Sequence, residues 1–293
     1  MMNNTSYLQK FMFEDVPVKG SVVVLNDAWQ TIAQQQDYPS GLAQLLAELL
    51  AANILLTSNL KLTGSVICQI QDNPYFNLVV SEVNSALQVR ATAKFNSTMN
   101  LSYLDYCKTG RLVVSIDSKT DGNLYQSIIA LSGNKLSDVL NEYMVQSEQI
   151  QSWFLLAYVE NKVVGMLLQQ LPDVMTMHVD DIQRIFMLAD TLNSSELAKM
   201  SSIEDLLYKL FNQDNVRLFA PQTIEFACSC NRERLSSILL SLGQDELTSL
   251  INEERDIMID CDYCHQQYVF TSLQLSQLLI SEQYMVNISK IHH

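Results

Sequence analysis

Four of the chain's six cysteines stand in two tight pairs late in the sequence, in Phe226-Ala-Cys-Ser-Cys-Asn231 and Ile259-Asp-Cys-Asp-Tyr-Cys-His265. Cys228 and Cys230 are one residue apart, so an extended backbone turns both sulfurs to the same face. Cys261 and Cys264 form the C-x-x-C turn common in zinc knuckles, and the two pairs together make a tetrahedral four-thiolate site with metal–sulfur distances of about 2.3 Å. Zinc suits this soft donor set best, one ion per chain in the reduced state, because no haem or ferredoxin pattern accompanies it. Such a site dominates the folding of whatever surrounds it. Structural zinc contributes an apparent ~10–16 kcal/mol, whereas whole domains are stable by about 5–15 kcal/mol.

The residues between the pairs read as a thin module. Leu235, Ile238, Leu239 and Leu242 form a helical stripe stopped by Gly243, and Asp245 is placed to cap a second helix carrying Leu247, Leu250 and Ile251. Ile257 and Ile259 then alternate into the second cysteine pair. Upstream, the runs at 21–25, 65–71, 77–83, 87–95, 111–116 and 124–131 are rich in Val, Ile, Thr and Tyr and are divided by turn residues such as Asp72-Asn73-Pro74 and Asp121-Gly122-Asn123. Pro39-Ser40 opens a helix to about Leu56 that is apolar around most of its circumference and must be buried against the sheet. Leu136, Val139, Leu140, Tyr143 and Met144 mark another helix, and 153–159 with 163–168 a hairpin turned by Glu160-Asn161-Lys162.

These signals predict an α+β fold in three parts. Residues 1–171 form a mostly antiparallel sheet domain with packed helices, 172–221 an amphipathic helical linker, and 222–293 a small C-terminal zinc-binding module. In the linker, the pattern Ser201-x-x-Glu204 reads as a capping box ahead of Ile203, Leu206, Leu207, Leu210 and Phe211 on one helical face. That stripe is either an ordinary packed helix or an apolar face that can be released.

Composition narrows the partners. A net charge of −14 argues against nucleic acid and anionic membranes, which reward clustered Lys and Arg. The N-terminal stretch lacks the basic and apolar regions of a signal peptide, and the apolar run from Leu45 to Leu60 is broken by Glu48 and Asn53, short of the ~18 uninterrupted residues that suggest a membrane span. The expectation is a cytoplasmic protein, where paired cysteines serve as metal ligands or redox devices more often than as structural disulfides. Cys68 and Cys107 lack partners at ligand spacing and read as ordinary small residues. No nucleophile set, P-loop or dinucleotide fingerprint is present, and His178 has no evident catalytic partner, so an enzyme is not expected. His292-His293 carries no weight.

The sequence resembles the redox-regulated 33-kDa heat-shock chaperone family. The likeness rests on the C-x-C and C-x-x-C pairs thirty residues apart, on Cys230-Asn-Arg-Glu-Arg234 and Cys261-Asp-Tyr-Cys264 around the ligands, and on Tyr268-Val-Phe270 behind them. It extends to Phe13-Glu-Asp15, Asp37-Tyr-Pro39, Ala47-Glu-Leu-Leu50, Glu142-Tyr143, Ser147-Glu-Gln149 and the 166–169 stretch. The resemblance implies an ATP-independent holdase whose Cys228, Cys230, Cys261 and Cys264 are both zinc ligands and redox sensors. Oxidation would form Cys228–Cys230 and Cys261–Cys264 disulfides, release zinc, unfold module and linker, and expose apolar surface to unfolding client proteins. Ile203, Leu206, Leu207, Leu210 and Phe211 are then the candidate client-binding residues, and homodimerisation on oxidation is left open.

Two positions depart from the family pattern. Gln71-Asp72-Asn73-Pro74 replaces a Gly-rich turn, and His265 stands after C-x-x-C where relatives often carry Gly or Asn. His265 could compete as a ligand, although four thiolates already satisfy zinc. Two other functions stay open at this level: a disulfide oxidoreductase using Cys261 and Cys264, and a purely structural zinc module. Arg232 and Arg234 either offset the charge of the thiolates or line a solvated helix face.

Overall fold

A computed structural model of the chain describes residues 4–60, 63–96, 101–118, 124–172, 179–253 and 255–280. The sequence readings at Asp121-Gly122-Asn123, His178 and His292-His293 lie outside these residues. The chain divides into two units, residues 1–227 and 228–293.

In the first unit, β1 (Tyr7–Phe13) and β2 (Val18–Leu25) are followed by α1 (Asp27–Ala33) and the long helix α2 (Ser40–Asn59). Three strands come next, β3 (Gly64–Gln71), β4 (Phe76–Asn84) and β5 (Gln88–Phe95). Then follow α3 (Tyr103–Tyr106), β6 (Arg111–Ser118), β7 (Leu124–Ala130), α4 (Leu136–Gln146), β8 (Ser152–Val159) and β9 (Lys162–Gln170). Helices α5 (Val179–Asp190), α6 (Ser194–Ala198) and α7 (Ile203–Phe211) lead into the short strands β10 (Val216–Leu218), β11 (Gln222–Thr223) and β12 (Glu225–Phe226). One sheet has the order β10-β1-β2-β9-β8, with β11 also on β1, and the other β12-β5-β4-β3-β6-β7. Every pairing is antiparallel except β12 on β5.

Helix α2 lies between these sheets, which explains its apolarity on all sides: Leu42, Leu45, Leu46, Leu49, Leu50, Ile54 and Leu55 share one core with Leu8, Val23 and Leu167 of the first sheet and Val66, Val79 and Val83 of the second. Gly165 allows the close approach, because a Cβ there would sit 3.0 Å from the Leu55 side chain. By length and composition α2 could cross a membrane, but 83% of its apolar stretch is buried inside the protein. Its two polar interruptions are tethers. Asn53 donates to Val66 O and Ser81 O at 3.1 and 3.0 Å, and Glu48 accepts from Gln44 Nε2 at 2.9 Å and bonds the Tyr103 hydroxyl.

Strands β2 and β9 are buried almost continuously rather than alternately, because both faces of their sheet are covered. Side-chain parity sorts the two sides. Phe11, Phe13, Val22, Val24, Met166 and Leu168 point away from α2 and form a second core with Ile182, Ile185, Leu197, Ile203, Leu206, Leu207 and Phe211 of α5–α7. The rings of Phe13 and Phe211 meet edge to face at 5.0 Å. Thus the amphipathic segment expected as a linker packs within the first unit in this state, and β10 to β12 carry the chain along β1 and β5 as far as Ala227.

Local chemistry differs from expectation at the caps. Ser202, not Ser201, is the N-cap of α7 and accepts from Asp205 N at 3.0 Å, while Ser201 Oγ donates to Asp205 Oδ2 at 2.6 Å. The extended backbone needed for capping falls one residue later than the box pattern placed it. In the turn that replaces a Gly-rich one, Asp72 takes a positive φ of 57° and pairs with Arg111. Asn73 Nδ2 donates to Tyr106 O and Thr109 O at 2.9 and 2.7 Å, so side-chain bonds fix this loop.

The second unit holds α8 (Arg232–Ser241), α9 (Gln244–Asn252), the antiparallel hairpin of β13 (Ile257–Asp260) and β14 (Gln267–Phe270), and helical residues 272–280. Gly243, at φ 91°, both ends the α8 segment and serves as N-cap of α9; Asp245 sits in the first turn of α9 but does not cap it. Leu239, Leu247, Phe270 and Leu275 form its buried core.

Candidate metal centre

Residues 227–231 run without regular structure into α8, whose N-cap Asn231 accepts from Arg234 N at 2.7 Å. Cys228 and Cys230 are therefore held on a short irregular lead fixed at its far end by a helix cap. Cys261 and Cys264 occupy the turn of the β13–β14 hairpin. There Cys261 N donates to Gln266 O at 3.0 Å and His265 N to Cys261 O at 2.8 Å. Backbone N–H groups also bond the sulfurs, Cys230 N toward Cys228 and Gln266 N toward Cys264.

The four sulfurs lie within 4.8 Å of one another. Cys228 Sγ and Cys261 Sγ are 3.6 Å apart, Cys230 Sγ and Cys264 Sγ 3.4 Å, and all four thiols are free. These separations fit a metal: a tetrahedron with metal–sulfur bonds of about 2.3 Å has edges of roughly 3.8 Å, far longer than a ~2.05 Å disulfide. All-sulfur donors select zinc among common divalent ions. The two pairs expected from the sequence thus converge on one compact site.

Its electrostatics are uneven. Burial raises the Cys228 thiol, and burial followed by bonds from the other cysteines raises Cys264. Burial also opposes ionisation of Cys230, but hydrogen bonds from the Tyr268 hydroxyl and from Cys264, Cys228 and Cys261 outweigh it and bring its pKa down to about 7. The Tyr268 hydroxyl lies 3.3 Å from Cys230 Sγ, and that bond, with smaller burial and charge effects, pushes the phenol up to about 12. Position alone gave Tyr268 no role in the sequence; the cross-strand register Ile259↔Tyr268 brings it beside the cysteines.

The arginines are engaged structurally. Arg232 lies 4.3 Å over the Phe270 ring and donates to Val269 O at 2.9 Å and Gln274 Oε1 at 2.6 Å. Arg234 donates to Ser229 Oγ, between the first two cysteines, at 3.0 Å. His265 is exposed, with φ 54°. Cys68 and Cys107 are buried in the α2 core, and burial pushes both thiols up to about 12, so neither is reactive. Ile203, Leu206, Leu207 and Phe211 are buried and Leu210 is partly buried, all within the first unit rather than on an open surface.

Comparison with known proteins covers both units. The profile of the Hsp33 protein family matches residues 6–271. The chain is 38% identical over 284 residues to a 33 kDa chaperonin of Methylobacillus flagellatus, covering 96% of this chain and 97% of that one. It is 34% identical to the 33 kDa chaperonin of Nitrosococcus oceani over the full length of both. The fold superposes on the crystal structure of the 33 kDa chaperonin of Thermotoga maritima with a TM-score of 0.79 at 22% identity, covering 96% of this chain and 99% of that one. A match that runs through the sheets, α5–α7 and the four-cysteine module alike makes this chain a member of the Hsp33 family.

Proposed function

We propose that the protein is a redox-regulated, ATP-independent holdase chaperone of the cytoplasm, inactive when reduced and zinc-bound. The observation that carries this reading is the convergence of four free sulfurs in a unit with only a small core of its own. Cys228, Cys230, Cys261 and Cys264 would hold zinc, which when bound would supply the cross-links that this core lacks.

Each neighbouring pair, Cys228 with Cys230 and Cys261 with Cys264, can form a disulfide by giving up two electrons and two protons. Peroxide is the oxidant, reduced to two waters per disulfide. The thiolate donor set is then lost and the second unit loses its staple. Disorder beginning at Cys228 reaches the first unit along the chain, through β12 on β5 and β10 on β1, to α7. Detaching α5–α7 uncovers two apolar surfaces together: the stripe of Ile203, Leu206, Leu207, Leu210 and Phe211, and the sheet face of Phe11, Phe13, Val22 and Met166 beneath it. Either presents what an unfolding client needs, a broad apolar face without a nucleotide cycle.

The test pairs zinc content with suppression of client aggregation before and after peroxide. One zinc per reduced chain, its loss on oxidation, and holdase activity stoichiometric in chaperone are expected. Full activity with zinc retained would overturn the switch, and catalytic turnover of insulin disulfides would instead assign an oxidoreductase.

A further inference from the structure

A cleft of about 180 Å³ opens between the two sheets at the C-terminal end of α2. Its walls are apolar: Leu56 and Leu60 from the helix end, Val66 from β3, Val114 and Ile116 from β6, and Met144 from α4. The polar groups around it are almost all engaged. Asn59 Nδ2 donates to Leu55 O at 3.0 Å and Gln169 Nε2 to Ser152 Oγ at 3.4 Å. Tyr143 bonds Ser127 Oγ at 2.8 Å and holds the one carboxylate of the lining, Glu148.

Lys19 is the exception: its ammonium has no hydrogen bond or ion pair among the described residues. The strand register adds a second cation. Met12 pairs with Lys19 and Lys10 with Ser21, so Lys10 and Lys19 are diagonal neighbours on the same face of β1 and β2. Lys10 donates to Ser58 O at the end of α2. Burial, and then the charge of Lys10, both lower the Lys19 pKa, so its cationic form is stressed. A half-buried cation beside an apolar cleft is partly desolvated, and an anion seated in the cleft would compensate its charge. Cavities with apolar walls and one convergent charge are typical small-ligand sites.

We propose that this cleft binds a small amphipathic anion, an unbranched carboxylate whose head group pairs with Lys19 and whose chain lies along Val66, Val114 and Ile116. The site is independent of the cysteines, because none of its lining comes from α5–α7 or from the second unit.

The experiment uses the reduced, zinc-loaded full chain, titrated calorimetrically with decanoate and with decanol, which keeps the chain but lacks the charge. One saturable decanoate site is expected. Lys19→Met should weaken decanoate by about tenfold, the scale of one charge-assisted bond, and leave decanol unchanged. Ile116→Trp, at the half-buried end of β6, should fill the cleft and abolish both. Absence of saturable binding would overturn the site. So would decanoate affinity untouched by Lys19→Met, or binding that survives Ile116→Trp in a variant with native circular dichroism, since the ligand would then lie on some other apolar surface.

Discussion

Helix α2 buries Leu45, Leu46, Leu50 and Ile54 to 0% exposure under two sheets, with dozens of further side chains around them. Among the described residues of the second unit, the core cluster is only Leu239, Leu247, Phe270 and Leu275, while Ile238, Leu242, Met258 and Leu273 are exposed. The two units thus owe their order to different physics. The α2 core of the first depends on apolar area removed from water, and the proposed switch leaves that core untouched. The second sets four converging sulfur atoms beside its small core; under the proposed function the metal they hold would carry its stability, and thiolates are oxidisable. Under the proposed function, the sensor could be lost without the α2 scaffold being lost, and that separation is what a switch requires.

The comparison breaks most sharply on removal of metal. Chelation, or Cys261→Ser, should abolish amide-exchange protection in α8, α9 and β13–β14 while α2 and β3–β6 keep theirs, because about 10–16 kcal/mol of apparent zinc free energy is at stake in one unit only. Equal loss in both units would refute it. Next in size are matched core truncations. Leu247→Ala and Leu46→Ala should each cost ~2–5 kcal/mol, but the first should appear as weakened zinc affinity and the second as a lower melting temperature with zinc affinity unchanged. Tyr268→Phe removes the hydroxyl that bonds Cys230. Loss of such an outer bond to a ligand typically costs about 10–100-fold in metal affinity, so competition with a chromophoric chelator should show at least the lower figure.

A smaller effect belongs to the first unit. Burial raises the Glu48 carboxyl above its ordinary range despite bonds from Gln44 and Tyr103. The native chain therefore keeps a proton that the unfolded chain has released, and stability falls as pH rises from the ordinary carboxylate range through the raised value. Glu48→Gln should flatten that slope, and urea unfolding at several pH values checks it.

What the sequence disclosed follows the same division. The strands from β3 to β9 were legible because β-branched runs alternate with turn residues, and the cysteine pairs because thiolate chemistry admits few readings. Strand β1 was not, since Tyr7–Phe13 has a polar pair, Gln9-Lys10, at its centre and becomes a strand by pairing with β2, β10 and β11. Glu48 and Asn53 read as interruptions of an apolar run, yet Asn53 bonds both β3 and β4, a tertiary fact without local signature. The stripe in α7 was visible, but its partner, the outer face of β1 and β2, was not. Tyr268 acquires a role only through hairpin register.

The smallest expected effect concerns His265 of the second unit and is a purely backbone question. The residue after the second cysteine holds φ at 54° so that its N–H can bond Cys261 O at 2.8 Å and close the turn. That left-handed conformation costs an ordinary side chain about 1–2 kcal/mol, while Gly adopts it without penalty and Asn with little. The imidazole is exposed. His265→Gly should therefore tighten zinc binding by about fivefold to tenfold, close to 1 kcal/mol, with the loss of unfolded-state freedom on folding holding the gain near the lower end. His265→Ala, which relieves none of the strain, should change affinity little. If both variants instead lost affinity together, the imidazole would be acting as a ligand to the metal, and the site would have to be redrawn with a nitrogen in place of one of its four sulfurs.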